Sequence, residues 1–136
     1  MDGLVAKFSD DGELLAASYV GMPSAVDDII AMTLEGLAIA PNGDVIAGGS
    51  DRPHNTSTRN AMIIRLNEDL SEILHIETYG GSGRDEIRGV DVNANGDVAY
   101  AGYTSSMDWP TVSAHDSTYH SAPNAAPAFV VLRPQY

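Results

Sequence analysis

The sequence predicts an all-β chain in which short antiparallel strands are joined by tight turns. Apolar segments of about five to eight residues, enriched in Val, Ile and Tyr, alternate with clusters of Gly, Asn, Asp and Pro, which is the pattern of strands and turns. Helical periodicity is weak, and the strand-like segments recur at a regular spacing. In chain order the predicted strands are residues 3–9, 13–20, 36–41, 44–50, 61–67, 73–79, 87–93, 97–104 and 128–133.

One strand–turn–strand unit occurs twice. The segment GLVAKF (3–8) is followed by a polar turn and by ELLAASYV (13–20), and AMIIRL (61–66) is followed in the same way by EILHIETY (72–79). A third segment, AFVVLR (128–133), has the same β-branched, apolar character. The two complete units predict β-hairpins, and the last segment predicts a single strand.

A second unit recurs with a shift of 53 residues, since EGLAIAPNGDVIAGGS (35–50) aligns with RGVDVNANGDVAYAGY (88–103). The shared residues are Gly36, Asn42, Gly43, Asp44, Val45 and Gly49, which meet Gly89, Asn95, Gly96, Asp97, Val98 and Gly102. The two units together give four strands in a period of about 55–65 residues, which fits a propeller blade. We therefore predict one propeller-type domain or fragment over residues 1–136, with four-stranded antiparallel blades and an incomplete ring. Its predicted parts are a partial blade 1–21, a blade 35–80 and a partial blade 87–136.

Residues 24–38 leave two interpretations open. In the segment SAVDDIIAMTLEGLA, the side chains of Val26, Ile29, Ile30 and Leu34 could share one face of a helix. The alternative is a longer loop that leads into the strand predicted at residue 36.

Three segments resemble the bacterial seven-bladed β-propeller repeat family, the SBBP repeat: GLVAKFSDDGELLAASYVG (3–21), TYGGSGRDEIRGVDVNANGDVAYAGYTSSMDWPT (78–111) and AFVVL (128–132). The likeness covers most of the chain, with departures. Leu70 stands in the second copy where the first has Gly12, and GMPSAVDDIIAMTLE (21–35) replaces the family's GGSGDDE. The resemblance implies a non-catalytic binding or structural module of a bacterial protein that is extracellular or attached to the cell surface.

Composition narrows the expected partners. The chain has 19 acidic and 7 basic residues and a formal net charge of −12, which repels nucleic acid and anionic membrane surfaces. No apolar run approaches the roughly 18 residues of a membrane span, and the N-terminal segment MDGLVAKFSDDGE shows no signal-peptide pattern. Because Cys is absent, no disulfide framework and no thiol nucleophile are available.

The segment DVNANGDVAY (91–100) could open a calcium loop or form a turn between two strands. An EF-hand loop requires a bidentate Glu at its twelfth position, and counting from Asp91 this position is Gly102. The Asn-Gly pair instead supplies the positive φ angles of a hairpin turn. We therefore predict a turn and no cofactor. The alternative is a calcium-stabilised adhesion domain with the ligands Asp91, Asn93, Asn95 and Asp97.

The longest connection, residues 105–127, is the candidate ligand site. Loops of this length are usually functional or disordered, and this one carries the only Trp of the chain. An exposed aromatic side chain there favours contact with carbohydrate or protein, whereas the segment DWPT (108–111) also suits a Trp that packs against the blade edge. The candidate ligand-binding residues are Trp109, Tyr119, His115, His120 and Asp108.

No motif in the sequence indicates catalysis. The Gly-rich segment GGSGRDE (80–86) lacks the G-K-[ST] ending of a phosphate loop, so we interpret it as a connection that needs only flexibility. No G-x-S-x-G elbow presents a serine nucleophile. We therefore predict that the chain is not an enzyme.

The predicted blades do not close a ring within the chain. The strand pair at residues 3–20 lacks two inner strands, and the set at residues 87–133 lacks its outermost strand. Unpaired strand edges and uncovered blade faces associate. Because the two ends are complementary, the expected partners are further copies of the chain, with three copies favoured, or neighbouring blades of a longer chain.

Overall fold

Strands account for most of the residues that the structure describes. The computed structural model describes residues 3–21, 29–53, 57–111, 113–115, 117–119 and 128–133. The strands are β1 (Gly3–Phe8), β2 (Leu14–Val20), β3 (Ile29–Ile39), β4 (Val45–Pro53), β5 (Asn60–Leu66), β6 (Ile73–Tyr79), β7 (Asp85–Val92), β8 (Val98–Thr104) and β9 (Ala128–Arg133). Within the described ranges no helix is present, so the predicted all-β class is confirmed.

The strands form three antiparallel sheets whose strand order follows the chain. Sheet 1 contains β1–β2, sheet 2 contains β3–β4–β5–β6, and sheet 3 contains β7–β8–β9. The predicted strand positions are confirmed with small differences at the ends, except that β3 begins at Ile29, well before the predicted residue 36. In the part of the chain that the structure describes, nothing helical is long and apolar enough to cross a membrane.

The long strand β3 decides between the two interpretations of residues 24–38. Residues 29–39 pair antiparallel with β4, from Ile29 opposite Pro53 to Ile39 opposite Val45. The helix interpretation is therefore wrong for these residues, because the ladder to β4 supplies their backbone hydrogen bonds. Residues 24–28 of that candidate helix lie outside the described residues.

Sheet 2 lies between the other two sheets and has an apolar cluster on each face. The first cluster joins sheets 1 and 2 through the buried residues Val5, Val20, Met32, Val45, Met62, Ile64, Leu66 and Leu70. The second cluster joins sheets 2 and 3 through Ile46, Ala61, Ile63, Ile87, Val98 and Tyr100. Successive residues of β4 and β5 enter opposite clusters because side chains alternate along a strand. The sheets are therefore stacked in the order 1, 2, 3.

Corresponding strand pairs share irregularities in their pairing. The hairpins β1–β2 and β5–β6 both shift register just before the first strand ends, at Lys7/Phe8 and at Arg65/Leu66. The pairs β3–β4 and β7–β8 shift at Leu34/Gly36 and at Ile87/Gly89. Pairs that are separated in the chain are thus built to the same pattern.

The third strand of sheet 3 occupies the place that the third strand of sheet 2 occupies. In sheet 2, Val45 of β4 lies opposite Leu66 of β5. In sheet 3, Val98 of β8 lies opposite Arg133 of β9. Since Val45 and Val98 correspond in the sequence alignment, Arg133 stands at the register position of Leu66.

Four turns of the chain share one backbone design. In each turn the amide of the fourth residue donates a hydrogen bond to the carbonyl oxygen of the first. The fourth residue has a positive φ angle in every case, and these residues are Gly12 (84°), Gly43 (90°), Leu70 (61°) and Gly96 (85°). The turn predicted for the Asn-Gly pair of residues 91–100 is therefore confirmed.

Leu70 brings a side chain into a turn position that favours glycine. A left-handed backbone costs a residue with a Cβ about 1–2 kcal/mol. The Leu70 side chain is only 3% exposed and belongs to the first cluster, and burial of a Leu side chain contributes about 1.5–3 kcal/mol. Core packing therefore offsets the backbone strain, which explains why Leu replaces Gly in this copy.

We expect Leu70→Gly to lower the free energy of unfolding although it relaxes the backbone. Removing a buried Leu side chain costs about 2–5 kcal/mol, which exceeds the strain of about 1–2 kcal/mol. A urea titration measures the change. The control is Gly12→Ala, which introduces strain without a clash because no atom lies within 4 Å of the added Cβ. If Leu70→Gly were as stable as the wild type, the burial of Leu70 would contribute nothing net.

Candidate functional site

A buried carboxylate ties the connection between β6 and β7 to the segment after β8. Asp85 is fully buried. Its Oδ2 accepts hydrogen bonds from the Gly81 amide (3.0 Å) and the Ser106 hydroxyl (2.8 Å). Its Oδ1 accepts from the Ser106 hydroxyl (2.9 Å) and from the Thr104 hydroxyl. These hydrogen bonds compensate for the burial of the carboxylate, so its role is to hold the two connections together.

Asp108, a predicted ligand-binding residue, also holds this connection. Its Oδ1 accepts hydrogen bonds from the Ser82 amide (2.8 Å) and the Ser82 hydroxyl (3.0 Å), and these bonds, the amide's first, lower the pKa of Asp108. A Cβ added to Gly81 would clash with the same oxygen. The interpretation of residues 80–86 as a connection that needs only flexibility is therefore wrong, because the segment is tightly packed.

The other predicted ligand-binding residues occupy different environments. Trp109 is half-buried and packs against the second cluster, as the blade-edge interpretation of DWPT expects. Tyr119 is half-buried and His115 is exposed. His120 lies outside the described residues. Binding of a ligand by these residues stays a prediction.

Two of the alternative calcium ligands, Asn93 and Asp97, use their side chains to build the turn. The amide oxygen of Asn93 accepts hydrogen bonds from the backbone amides of Asn95 and Asp97 (2.9 Å each), and its nitrogen donates to Asp97 Oδ2 (2.8 Å). Asp91 is exposed, and its Oδ1 accepts from the Val92 amide (2.9 Å). Among the residues described, no group of three or more His, Cys, Asp and Glu side chains could hold a metal ion. The calcium alternative stays a prediction.

A charged cluster that the sequence analysis missed joins β3 to β7. Tyr103 donates a hydrogen bond to Glu86 Oε2 (2.6 Å). Arg88 places Nη2 3.4 Å from Glu86 Oε1 and Nε 3.6 Å from Glu35 Oε2, and its guanidinium lies over the Tyr103 ring at 4.9 Å. Glu35 and Arg88 are corresponding residues in the 53-residue alignment. The opposite charges at this shared position were the signal that could have revealed the cluster.

The two carboxyl groups of this cluster are coupled. A hydrogen bond to Glu86, together with burial, raises the pKa of Glu35. Burial would raise the pKa of Glu86, but hydrogen bonds from Glu35 and Tyr103 and the positive charges of Arg88 and Arg59 lower it on balance. Glu35 therefore takes up a proton before Glu86 does. The cluster connects sheet 2 to sheet 3 through ion pairs and hydrogen bonds.

A shallow cleft of about 210 Å³ lies between the turns at Asn42 and Asn95, with Ile46 and Val98 among the residues that line it. Arg65 also lines the cleft, and its Nη2 and Nε contact Asp44 Oδ2 at 2.6 and 2.8 Å. The positive charge facing the cleft is thereby compensated.

Exposed apolar side chains form two groups on sheets 1 and 2. The first group, here called the sheet 1 outer face, lies on the side of sheet 1 that is turned away from sheet 2 and contains Leu4, Phe8, Leu14 and Tyr19, with Tyr19 79% exposed. The second group, here called the β3 pair, contains Leu37 (53% exposed) and Ile39 (63% exposed). Grouped exposed apolar side chains are typical of interaction surfaces.

The β3 pair lies on the side of sheet 2 that faces sheet 1. Gly36 faces sheet 3, since a Cβ added there would lie 3.0 Å from the Val90 amide nitrogen. Side chains alternate along a strand, so Leu37 and Ile39 point to the opposite side. Sheet 1 covers that side of sheet 2 around Val5 and Val20, but it leaves the β3 pair exposed.

Comparison with known proteins assigns the chain to no family. No protein-family model matches the chain, and no curated protein matches its sequence. The resemblance to the bacterial seven-bladed propeller repeat therefore stays a prediction.

We expect Asp85→Asn to lower the free energy of unfolding by about 1–3 kcal/mol. The amide group replaces an accepting oxygen by a donor, which would face the donors Gly81, Thr104 and Ser106. The measurement is a urea titration. Asp91→Asn is the matched control on an exposed carboxylate, with an expected change within about 0.5 kcal/mol. Equal losses in the two variants would contradict the structural role of Asp85.

We expect millimolar Ca²⁺ to leave the melting temperature unchanged, because the oxygens of Asn93 and Asp97 are committed to the turn. Binding at roughly 100 times the dissociation constant would instead add about 2.7 kcal/mol of stability. The measurement is thermal unfolding with calcium and with EDTA. A rise that EDTA reverses, and that Asp91→Ala abolishes, would establish the calcium-stabilised alternative.

Proposed function

We propose that the chain is a non-catalytic, propeller-type structural or binding module that completes its ring with further blades. These blades come from other copies of the chain or from a longer chain that contains it. The observation that carries the proposal is the sheet 1 outer face. Four large apolar side chains on one side of a two-stranded sheet are exposed, whereas the other side of the same sheet is buried against sheet 2.

The arrangement of the sheets supports the blade interpretation. Sheet 2 is a four-stranded antiparallel meander with the order β3–β4–β5–β6, which is the construction of a propeller blade. It is covered on both sides by neighbouring sheets. In a ring of blades every sheet is covered in this way, and the sheet 1 outer face is an apolar surface that still requires a neighbour.

The polar groups of the molecule support a structural role. Asp85, Ser106 and Thr104 bind one another and the β6–β7 connection, and Glu86 is engaged by Tyr103 and Arg88. Hydrogen bonds and ion pairs of this kind hold connections and sheets together. The resemblance noted in the sequence favours a secreted or surface bacterial protein as the context of such a module, with carbohydrate or protein as the candidate ligand of the loop that carries Trp109 and Tyr119.

The mass of the chain in solution tests the proposal. We expect sedimentation velocity to show association of the wild type, and we expect the double variant Phe8→Ser/Tyr19→Ser to reduce it, because the sheet 1 outer face loses apolar area. The matched control is Leu74→Ser, which removes an exposed apolar side chain of β6 and should leave association unchanged. A wild type that remains a cooperatively folding monomer, with a solubility that Phe8→Ser/Tyr19→Ser does not alter, would overturn the proposal.

A further inference from the structure

We infer that two copies of the chain join by strand exchange, in which β1 of one copy takes the place of β9 on β8 of another. The two chains then build one four-stranded sheet with the order β7–β8–β1–β2. This inference rests on the proposed function and names the partner as a second copy. It follows from the pairing registers, from the residues at those registers and from the positions of the exposed apolar side chains.

The pairing registers allow β1 to pair with β8 at the position that β9 occupies. In sheet 2, β5 pairs with β4 on one side and with β6 on the other. The hairpin β1–β2 has the register and the irregularity of β5–β6, and β9 pairs with β8 as β5 pairs with β4. When β1 replaces β9, β2 therefore becomes the fourth strand, and the exchanged sheet repeats the construction of sheet 2.

The residues at the end of the strand favour β1 over β9 at this place. Sheet 2 has Arg65 followed by the buried Leu66. The strand β1 offers a cation and then an apolar residue, Lys7 and Phe8, at the corresponding positions. At the register positions of Arg65 and Leu66, β9 has Leu132 and Arg133, which is the reverse order.

A charge pair accompanies the exchange. In sheet 2, Arg65 Nη2 lies 2.6 Å from Asp44 Oδ2. The residue of sheet 3 that corresponds to Asp44 is Asp97, and the residue of β1 that corresponds to Arg65 is Lys7. Exchange therefore brings Lys7 of one copy to Asp97 of the other. Within a single copy, Lys7 contacts Glu68 at 3.4 Å on the surface, a contact that is weak in solvent.

The same exchange covers both groups of exposed apolar side chains. The residues of β7 that correspond to the β3 pair are Val90 and Val92, and both pack against the second cluster. After exchange, β8 and β7 of the second copy lie beside β1 and extend sheet 1 over the β3 pair. The β3 pair is then packed between sheets, as Val90 and Val92 are. The sheet 1 outer face meanwhile meets sheet 2 of the second copy, on the side that contains Ile46 and Ile63.

Exchange sets the number of blades in a closed ring. Each copy contributes its own sheet 2. It also contributes β1–β2 to one exchanged sheet and β7–β8 to another, which is half of each. The total is two four-stranded sheets per chain. The contact is head-to-tail, and such a contact closes into a ring when the rotation from copy to copy completes a full turn, but otherwise gives an open filament. Propellers have about four to eight blades, a range that rings of two, three or four copies would fit, and three copies give a six-bladed ring. An odd number of blades is excluded for a ring of whole copies.

The test uses disulfide trapping, since the chain has no cysteine of its own. Lys7 of one copy and Ala99 of the other become direct partners on exchange, as Arg65 and Ile46 are in sheet 2. We expect a mixture of Lys7→Cys chains and Ala99→Cys chains to form a covalent heterodimer under mild oxidation. A mixture of Leu74→Cys and Ala99→Cys chains controls for random collision, because Leu74 is exposed on β6 and is not brought to β8.

A second variant tests the role of β9. Ala99 lies opposite Leu132 in the single copy, so Ala99→Cys/Leu132→Cys should form a disulfide within one chain that holds β9 in place. We expect this oxidised variant to be monomeric and its reduced form to associate like the wild type.

The outcomes separate the inference from the proposed function. Association of the wild type without the Lys7–Ala99 disulfide would overturn strand exchange and leave the proposed module intact. A monomeric wild type that forms no heterodimer would overturn strand exchange, and it would overturn the proposed module as well if Phe8→Ser/Tyr19→Ser left its solubility unchanged. Association of the oxidised Ala99→Cys/Leu132→Cys variant would show that β9 stays on β8 in the assembly, and this too would overturn the exchange.

Discussion

The burial of sheet 2 on both sides is the constraint on which the rest of the structure depends. Neighbouring residues of β4 and β5 enter opposite apolar clusters, as Val45 and Ile46 do, and as Met62 and Ile63 do. A strand of this kind reads as a continuous apolar run, because neither face is available to solvent. Sheets 1 and 3 therefore have to cover sheet 2, and their own outer sides become the ends of the stack.

Acidic residues are accommodated in this apolar stack by local hydrogen bonding. Asp51 is buried, and its burial raises its pKa, while the backbone and side chain of Asn60 donate hydrogen bonds that oppose the shift. Asp85 and Glu86 are buried next to each other in β7 and are engaged by hydroxyl, amide and guanidinium donors. The net charge of −12 thus includes carboxylates that build the connections between sheets, besides those that face solvent.

Strand positions and turns could be predicted from the sequence because they depend on local chemistry. β-branched residues, alternation and Gly-Asn-Asp clusters located the strands, and the Asn-Gly pair before Asp97 indicated the left-handed position that Gly96 adopts. The start of β3 was missed because its pairing with β4 is a tertiary contact that the pattern of residues 29–35 does not reveal. Leu70 was seen as a departure, and its explanation required knowing that the turn lies on the first cluster.

The candidate sites were less predictable, since they depend on which chain segments meet. Trp109 and Asp108 are chemically suited to bind a ligand, but the structure packs one against the second cluster and bonds the other to Ser82. The Glu35–Glu86–Arg88 cluster assembles across two sheets and has no local motif. The sheet 1 outer face could not be read from the alternation in β1, because alternation distinguishes two faces without showing which of them is covered.

The free energies of a single copy and of a strand-exchanged assembly are of similar size. Replacing β9 by β1 exchanges one antiparallel ladder on β8 for another, so backbone hydrogen bonding changes little. The gain comes from Leu4, Phe8, Leu14, Tyr19, Leu37 and Ile39, which are more than half exposed in a single copy. Complete burial of such a side chain contributes about 1.5–3 kcal/mol, so covering the exposed halves of six amounts to about 4.5–9 kcal/mol.

Association costs about 4–15 kcal/mol in lost translational and rotational freedom. The net charge of −12 on each copy adds an electrostatic repulsion, which salt screens. Gain and cost are therefore of similar size for a single joint. Closing the ring forms one additional exchanged sheet between copies that are already associated. This last contact costs no further translational or rotational freedom of a free copy, and an open chain of copies lacks it. Ring closure is thus the step that favours the assembly, and two sheets per copy make its number of blades even.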